Sequence, residues 1–222
     1  MKWYCMTWVC IAFGGISYAS ELPEGIMLNL DFENASEGLI PSKTPYSLHV
    51  PQQELGIEYF NNRHMLIFDE GQGLDIPHSS LLDPAGDEWI VSVRVYALTD
   101  GLVFSQANDT HGLVIYMKDG HIAAAMRSGL STVVLAESEH RGRTKYTKRW
   151  VTIELRIKKD MAVLSLNRKR AAMVMDQPAL DGENLRIRIG SHQNLPQLLK
   201  NISDAPSTDF TGAISSLKIL RQ

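Results

Sequence analysis

The chain has 222 residues, of which 44% are apolar and 21% charged, and its formal net charge is −3. This composition is ordinary for a globular protein, and the length is sufficient for one good core. The acidic total argues against nucleic acid as a partner.

The first 19 residues resemble a secretory signal. One basic residue, Lys2, precedes an uncharged run over 3–18 that is too short to span a bilayer. Ser17 and Ala19 are small residues of the kind that signal peptidase requires before its cleavage point. We therefore predict cleavage after Ala19, a secreted or extracellular location (the periplasm or cell surface in a bacterium) and a single mature domain over 20–222. A buried first strand or an uncleaved anchor is the alternative.

Both cysteines, Cys5 and Cys10, lie in this leader, so we expect a mature chain without disulfides or cysteine-based sites. No later apolar run reaches the ~20 residues of a membrane span, and none is predicted in the mature chain. Residues 20–140 carry 5 Lys and Arg against 18 Asp and Glu, whereas residues 141–222 carry 16 against 7. This asymmetry indicates either opposed charged faces or two interleaved halves of one sandwich.

Alternation of apolar and polar residues predicts β-strands along most of the chain. In the first strand, 26–33, the apolar face contains Ile26, Leu28, Leu30 and Phe32. In the segment 89–98, the face opposite Trp89 contains Ile90, Ser92, Arg94 and Tyr96. The same period recurs at 151–158 and 185–189, and shorter strand-length segments lie at 64–68, 101–105, 131–136, 161–167, 171–175 and 213–220.

The segment 112–126, GLVIYMKDGHIAAAM, predicts a hairpin. Asp119 and Gly120 supply the positive φ angles of a two-residue turn, so 112–118 and 121–126 are expected to pair as antiparallel strands. Roughly a dozen short strands with almost no helical periodicity indicate an all-β, antiparallel sandwich. The segment 194–202 could form a turn or two of helix, limited by Pro196.

From Gly101 onward, the order of these features resembles a laminin G-like domain, a jelly-roll sandwich of the concanavalin A-like lectin and glucanase superfamily. The residues that carry the resemblance are GLVFS at 101–105, the hairpin, RWVTIELRI at 149–157, LSLNRKR at 164–170, RIRIGS at 186–191 and FTGAISSLKIL at 210–220. LNLDFE at 28–33 and GQGLDIPHSSLL at 71–82 look like its opening strands. The resemblance implies an all-β antiparallel jelly-roll β-sandwich and a non-catalytic binding module for a carbohydrate or an extracellular protein.

The chain departs from the family pattern at two places. Ala213 stands where many animal laminin G domains have a cysteine, and Asn167-Arg168 stands where an Asp-Gly or Asn-Gly turn is common. These departures indicate a divergent, cysteine-free member.

The resemblance also implies a Ca²⁺ site at the rim of the sandwich, for which Asp109 and Asp176 are the nearest counterparts. Calcium takes six to eight oxygen ligands, so backbone carbonyls would have to supplement two carboxylates. The alternative interpretation of Asn108-Asp109-Thr110 is an ordinary polar loop.

A basic surface is the second candidate site. The segment 140–149, HRGRTKYTKR, contains Arg141, Arg143, Lys145, Lys148 and Arg149, and the outward strand residues Arg156, Lys158, Arg186 and Arg188 would extend it over a sheet face. Such a surface attracts sulfated or carboxylated polysaccharide or another acidic partner. Charged strand exteriors that discourage aggregation are the alternative. We expect the rim loops 106–111 and 140–149 to carry the contacts.

Two other classes of function stay open at this point. A polysaccharide hydrolase or lyase on the same fold would need two carboxylates about 5 to 10 Å apart in a groove. The nearest pairs, Glu33 with Glu37 and Glu137 with Glu139, lie at strand ends or in loops, and we predict no enzyme. A structural or assembly protein would instead present a large exposed apolar patch.

Asn34, Asn108 and Asn201 each begin an Asn-x-Ser/Thr motif. In a eukaryotic protein these motifs predict N-glycosylation at exposed sites.

Overall fold

The computed structural model describes residues 25–30, 32, 39–41, 49–51, 55–60, 62–84, 88–136, 144–176, 184–190, 206 and 209–222. The strands in these ranges are β1 (Ile26–Asn29), β2 (Leu39–Pro41), β3 (His49–Pro51), β4 (Gly56–Phe60), β5 (Arg63–Phe68), β6 (Gly73–Ile76), β7 (Glu88–Ala97), β8 (Gly101–Ala107), β9 (His111–Lys118), β10 (His121–Ser128), β11 (Ser131–Ala136), β12 (Trp150–Lys158), β13 (Met161–Leu166), β14 (Lys169–Met175), β15 (Arg186–Gly190) and β16 (Gly212–Arg221). One 3-10 turn, Ser80–Leu82, lies between β6 and β7. No helix in the described ranges has the length and apolar content needed to cross a membrane. The predicted signal segment with its cleavage residue Ala19, and the segment 194–202, lie outside these ranges.

The strands form two antiparallel sheets and a separate two-stranded ribbon, β2-β3. The larger sheet has eight strands in the order β14-β13-β12-β7-β16-β5-β4, with β1 also paired to β16. The smaller sheet has six strands in the order β11-β10-β9-β8-β15-β6. Strand β16 pairs with β7 along most of its length, while its other edge pairs first with β5 and then with β1.

Apolar side chains from both sheets meet in one core between them. In β12 the predicted alternation is confirmed, since Val151, Ile153, Leu155 and Ile157 are buried and the residues between them are half-buried. Removal of this apolar surface from water is the main stabilising contribution to such a fold.

One polar link crosses the core. Gln106 of β8 is fully buried, accepts a hydrogen bond from the Trp89 Nε1–H of β7 at 3.2 Å and donates one to the carbonyl of Leu82. A buried amide without partners would cost about 1 to 3 kcal/mol, so these bonds fix the start of β7 against the end of β8.

The predicted hairpin is confirmed. Lys118 pairs with His121, and the two turn residues have positive φ angles, 53° at Asp119 and 79° at Gly120. The Asp100 carboxylate accepts hydrogen bonds from both turn N–H groups, at 2.5 and 2.9 Å. The turn is therefore fixed by its own sequence and by the adjacent β7–β8 loop.

The turn between β13 and β14 has the same form without a glycine. Leu166 pairs with Lys169, and Asn167 and Arg168 have φ angles of 50° and 67°. Asn167-Arg168 therefore differs from the family pattern in its residues, but it forms the same kind of two-residue turn.

Some strand predictions need correction. The first strand ends at Asn29, before the predicted end at Glu33, and a register shift between Ile26 and Leu28 leaves Ile26 half-buried and buries Met27. Leu28, Leu30 and Phe32 are buried as predicted. Ile90, predicted on the polar face of β7, is only 4% exposed. Strands β2, β3 and β4 were not predicted, because segments of three to five residues contain too few periods to detect.

Candidate functional site

The two sheets present different outer faces. On the six-stranded sheet, β8, β9 and β10 are buried on both faces, and a second apolar cluster lies on the side away from the main core. Its members are Leu102, Val114, Tyr116, Ala123 and Ala125. On the eight-stranded sheet, the outward residues of β12 and most of those of β7 are half-buried. A ligand can therefore reach the outer face of the larger sheet.

The described part of the basic segment, 144–149, lies at one end of that face and is fixed to both sheets. The Tyr146 N–H donates to the Gly120 carbonyl at 2.7 Å, on the smaller sheet, and the Lys148 N–H donates to the Ala97 carbonyl at 2.7 Å, on the larger sheet. The Arg149 N–H donates to the Tyr146 carbonyl at 3.2 Å. The loop is therefore held by backbone hydrogen bonds before any ligand binds.

Three cations on this loop are available to an anion. Lys145, Lys148 and Arg149 are exposed, and no ion pair joins any of them to another described residue. Arg141 and Arg143 lie outside the described residues. Unpaired cations on a fixed loop raise the local positive potential.

Three of the other predicted cations are already paired. Arg156 lies 3.0 Å from Glu88 and 3.3 Å from Glu154, while Lys158 lies 3.8 Å from Glu88. On the other sheet, Arg188 Nε lies 2.5 Å from a carboxylate oxygen of Asp75. These carboxylates partly neutralise Arg156, Lys158 and Arg188, so the three residues add less positive charge to the surface than predicted. Arg186 is exposed.

The prediction that Arg156, Lys158, Arg186 and Arg188 share one sheet face is wrong. Arg156 and Lys158 project from β12 in the larger sheet, whereas the two arginines of β15 belong to the smaller sheet, where the intervening isoleucines face the core. The two pairs therefore lie on opposite outer faces of the sandwich. Alternation predicts which residues face outward, but it does not predict which sheet a strand joins.

Three side chains lie together beside the basic loop. They are not among the site residues predicted from the sequence. Trp150 of β12 and Tyr96 of β7 are cross-strand partners whose ring centroids are 5.5 Å apart at an interplanar angle of 50°. The guanidinium carbon of Arg94 lies 5.5 Å from the centroid of the Trp150 ring system. We call these three half-buried residues the aromatic platform. The signal in the sequence was their position: two large aromatics and an arginine on the outward side of alternating strands.

The two aspartates of the calcium hypothesis are placed on different sheets. Asp109 is exposed in the β8–β9 turn, and Asp176 is exposed directly after β14, where its N–H donates to the Asp160 carbonyl at 2.9 Å. Among the described residues, no three His, Cys, Asp or Glu side chains are grouped as a metal site would require. The calcium site stays a prediction that rests on two carboxylates.

The polar-loop interpretation of the same turn has direct support. The Asn108 side-chain oxygen accepts hydrogen bonds from the N–H groups of Thr110 and His111, at 2.9 and 2.7 Å. Asparagine commonly fixes a turn in this way. The other two glycosylation motifs, at Asn34 and Asn201, lie outside the described residues. The carboxylate pairs considered for an enzyme, Glu33 with Glu37 and Glu137 with Glu139, also lie outside them.

The chain belongs to the laminin G domain family, because the family's sequence model, described as "Laminin G domain", matches residues 96–222. No curated protein matches the chain. The predicted fold, an antiparallel β-sandwich of the laminin G-like and concanavalin A-like type, is confirmed.

Three solved structures share this fold. The binding domain of Paraclostridial Mosquitocidal Protein 1 is 10% identical, with a TM-score of 0.66 over 89% of this chain and 49% of that one. The binding domain of botulinum neurotoxin DC in complex with rat synaptotagmin II is 9% identical, with a TM-score of 0.63 over 88% and 48%. A structure of botulinum neurotoxin type C, whose cell entry depends on interaction with two ganglioside molecules, is 9% identical, with a TM-score of 0.57 over 88% and 47%. The chain spans about half the length of these proteins.

Proposed function

We propose that the chain is a non-catalytic binding module that acts outside the cell and recognises an acidic carbohydrate polymer. The observation that carries this proposal is a set of three exposed cations, Lys145, Lys148 and Arg149, on a loop fixed to both sheets; none of the three forms an ion pair with another described residue. Membership of the laminin G domain family agrees with a binding role, and one neighbour of the same fold interacts with gangliosides. Location outside the cell rests on the predicted leader, and a mature N-terminus at Ser20 would support it.

The loop is suited to a polymer because its backbone needs no rearrangement. Its backbone hydrogen bonds are formed without ligand, so binding has to order the cationic side chains but not the main chain of 144–149. Exposed charges at such a surface act over about 8 Å at physiological ionic strength, and their effect falls as salt rises. Binding should therefore weaken steeply with added salt.

The proposal is tested by a triple variant, Lys145→Gln, Lys148→Gln and Arg149→Gln, on a heparin column and by calorimetry with a heparin oligosaccharide. We expect earlier elution in the salt gradient and an affinity about 10 to 100 times lower, since each exposed charge contributes on the order of 0.5 to 1 kcal/mol.

The matched control removes three positive charges that are already paired, through Arg156→Gln, Lys158→Gln and Arg188→Gln. Both triple variants lower the net charge by three, but this control should lose less retention than the loop variant. Arg156 and Lys158 lie toward the end of β12 away from the loop, and Arg188 lies on the other sheet. Equal losses in both triple variants would show that only net charge matters and would contradict the assignment to the loop. Absence of retention by the unmodified protein at low salt would contradict the proposed function itself.

A further inference from the structure

We infer that the aromatic platform, Arg94, Tyr96 and Trp150, is a subsite for a single pyranose ring that carries a carboxylate or sulfate group. This inference rests on the proposed function and names the chemistry that the same region of the surface would recognise.

The position of the platform on the sheet is the first argument. β7 lies between β16 and β12, so Arg94 and Tyr96 lie on an interior strand of the larger sheet, and Trp150 is the first residue of the neighbouring strand β12. Aromatic side chains at an edge or between sheets would cover backbone or core, whereas Tyr96 and Trp150 lie on the outward side and are half-buried. A half-buried aromatic ring leaves part of its apolar surface open to water, and the C–H side of a pyranose is the apolar part of a sugar.

Arg94 defines the charge of the ligand. Its guanidinium lies against Trp150, and no ion pair joins it to a described carboxylate. A guanidinium offers a planar set of donors that matches the two oxygens of a carboxylate or sulfate. A cation held beside an aromatic plane therefore fits a ring with an acidic substituent better than a neutral ring.

Hydroxyl groups surround Arg94. Thr152 of β12 and Ser216 of β16 are its direct cross-strand partners, and Ser92 is the next outward residue of β7. All three are half-buried on the accessible face. Hydroxyls donate and accept, so they suit the hydroxyl groups of a sugar.

The platform is continuous with the basic loop. Arg149 directly precedes Trp150, and the Lys148 N–H bonds to the carbonyl of Ala97, the residue after Tyr96. A polyanionic chain could therefore contact the loop cations along its length while one of its rings lies on the platform.

The experiment compares an acidic ligand built of sugar rings with a linear polyanion that has no rings, and each variant is measured relative to the unmodified protein on the same probe. Calorimetry at fixed salt would measure the affinity of the purified protein for an unsulfated chondroitin hexasaccharide, in which glucuronate alternates with N-acetylgalactosamine, and for linear inorganic polyphosphate. We expect Trp150→Ala and Tyr96→Ala to lower the hexasaccharide affinity about tenfold or more and to leave polyphosphate binding within about twofold. Arg94→Gln should lower hexasaccharide affinity more than polyphosphate affinity.

The control is Tyr59→Ala, an exposed tyrosine on β4 of the same sheet, whose ring lies 5.0 Å from that of His64. It should change neither affinity. Because Trp150→Ala removes a cross-strand ring pair, Trp150→Phe is included as a conservative variant. Trp150→Phe should retain most of the hexasaccharide affinity, and each variant's unfolding midpoint is recorded.

The outcomes separate the two proposals. If Trp150→Ala and Arg94→Gln leave hexasaccharide affinity unchanged while the loop triple variant loses it, the platform inference is wrong and the proposed function stands. If the platform variants weaken the binding of both probes equally, the inference that the platform recognises a sugar ring is also wrong. If the unmodified protein binds neither probe, the proposed function fails, and the platform inference fails with it.

Discussion

The outer faces of the two sheets differ in how far their side chains are buried. Strands β8, β9 and β10 of the smaller sheet are buried on both sides, with Val114 and Tyr116 buried away from the main core. Strands β7 and β12 of the larger sheet largely alternate, and their outward residues are half-buried. Strands buried on both faces have near-continuous apolar sequence, and strands with one wet face alternate. The alternating strands therefore leave their outer face partly open to water, which is where the proposed subsite lies, whereas the continuous strands bury apolar side chains on both faces.

The strongest test of this contrast places the same polar residue on each outer face. Val114→Asn should lower the free energy of unfolding by about 3 kcal/mol or more, because Val114 is fully buried and the amide would lose its hydrogen bonds to water. Thr152→Asn should stay within about 1 kcal/mol, because Thr152 is half-buried on the outer face. Urea unfolding followed by circular dichroism measures both. A small effect at Val114 would mean that the outer face of the smaller sheet is open to water.

A second test concerns the link between the sheets. Gln106→Leu leaves the Trp89 Nε1–H and the Leu82 carbonyl without their partner and should cost about 2 to 4 kcal/mol. Gln72→Leu is the matched control, because the Gln72 side chain is only half-buried and accepts one hydrogen bond from the Asp69 N–H. Its effect should stay below about 1 kcal/mol in the same unfolding assay. Equal effects would show that the buried link contributes no more than a surface hydrogen bond.

A third test asks whether a metal connects the two sheets, since Asp109 belongs to the smaller one and Asp176 follows a strand of the larger one. If the predicted calcium site exists with the millimolar to submillimolar affinity of extracellular modules, 1 mM Ca²⁺ should stabilise the protein by about 0.4 to 1.4 kcal/mol over EDTA. Thermal unfolding measures the shift.

Asp109→Asn and Asp176→Asn should each abolish that calcium-dependent shift. Asp69→Asn, another exposed aspartate, should preserve it. If calcium does not shift the unfolding of the unmodified protein, the prediction of a calcium site at the rim is wrong.

A fourth test compares the backbone strain in the two hairpin turns, one in each sheet. The β9–β10 turn has glycine at its second position, whereas the β13–β14 turn has Arg168 at a φ of 67°. Arg168→Gly should therefore stabilise the protein by about 0.5 to 1 kcal/mol, because glycine adopts this conformation without steric cost. A differential unfolding scan would detect it. A loss of stability would indicate that the arginine side chain makes a compensating contact.

Much of the fold could be predicted from the sequence because period and turn chemistry are local. The Asp119-Gly120 hairpin and the alternation of β12 needed only neighbouring residues, and both are confirmed. The division of strands between sheets is not local. Arg156 and Arg188 both occupy outward positions of alternating strands, but their strands belong to different sheets.

The candidate site shows the same limit. The sequence predicts that Arg94 and Tyr96 face outward, and it places Trp150 at the start of a strand. Only the register of β7 against β12, which pairs Trp150 with Tyr96, brings the three together. The loop cations were predictable as a cluster because they are close in sequence, whereas the pairing of Lys158 depends on Glu88, which is distant in sequence.

The position of β16 has a consequence for the order in which the protein can fold. This strand, Gly212–Arg221, separates β7 from β5 and also pairs with β1, so Ile26 meets Leu220 and Phe68 meets Gly212. During synthesis, the edges of β7 and β5 stay without their partner until the ribosome has completed residues far downstream. Contacts of such long sequence separation make folding slow and leave strand edges exposed meanwhile. A chain that stops before Gly212 should therefore aggregate, and a chain exported before folding avoids the exposed intermediate.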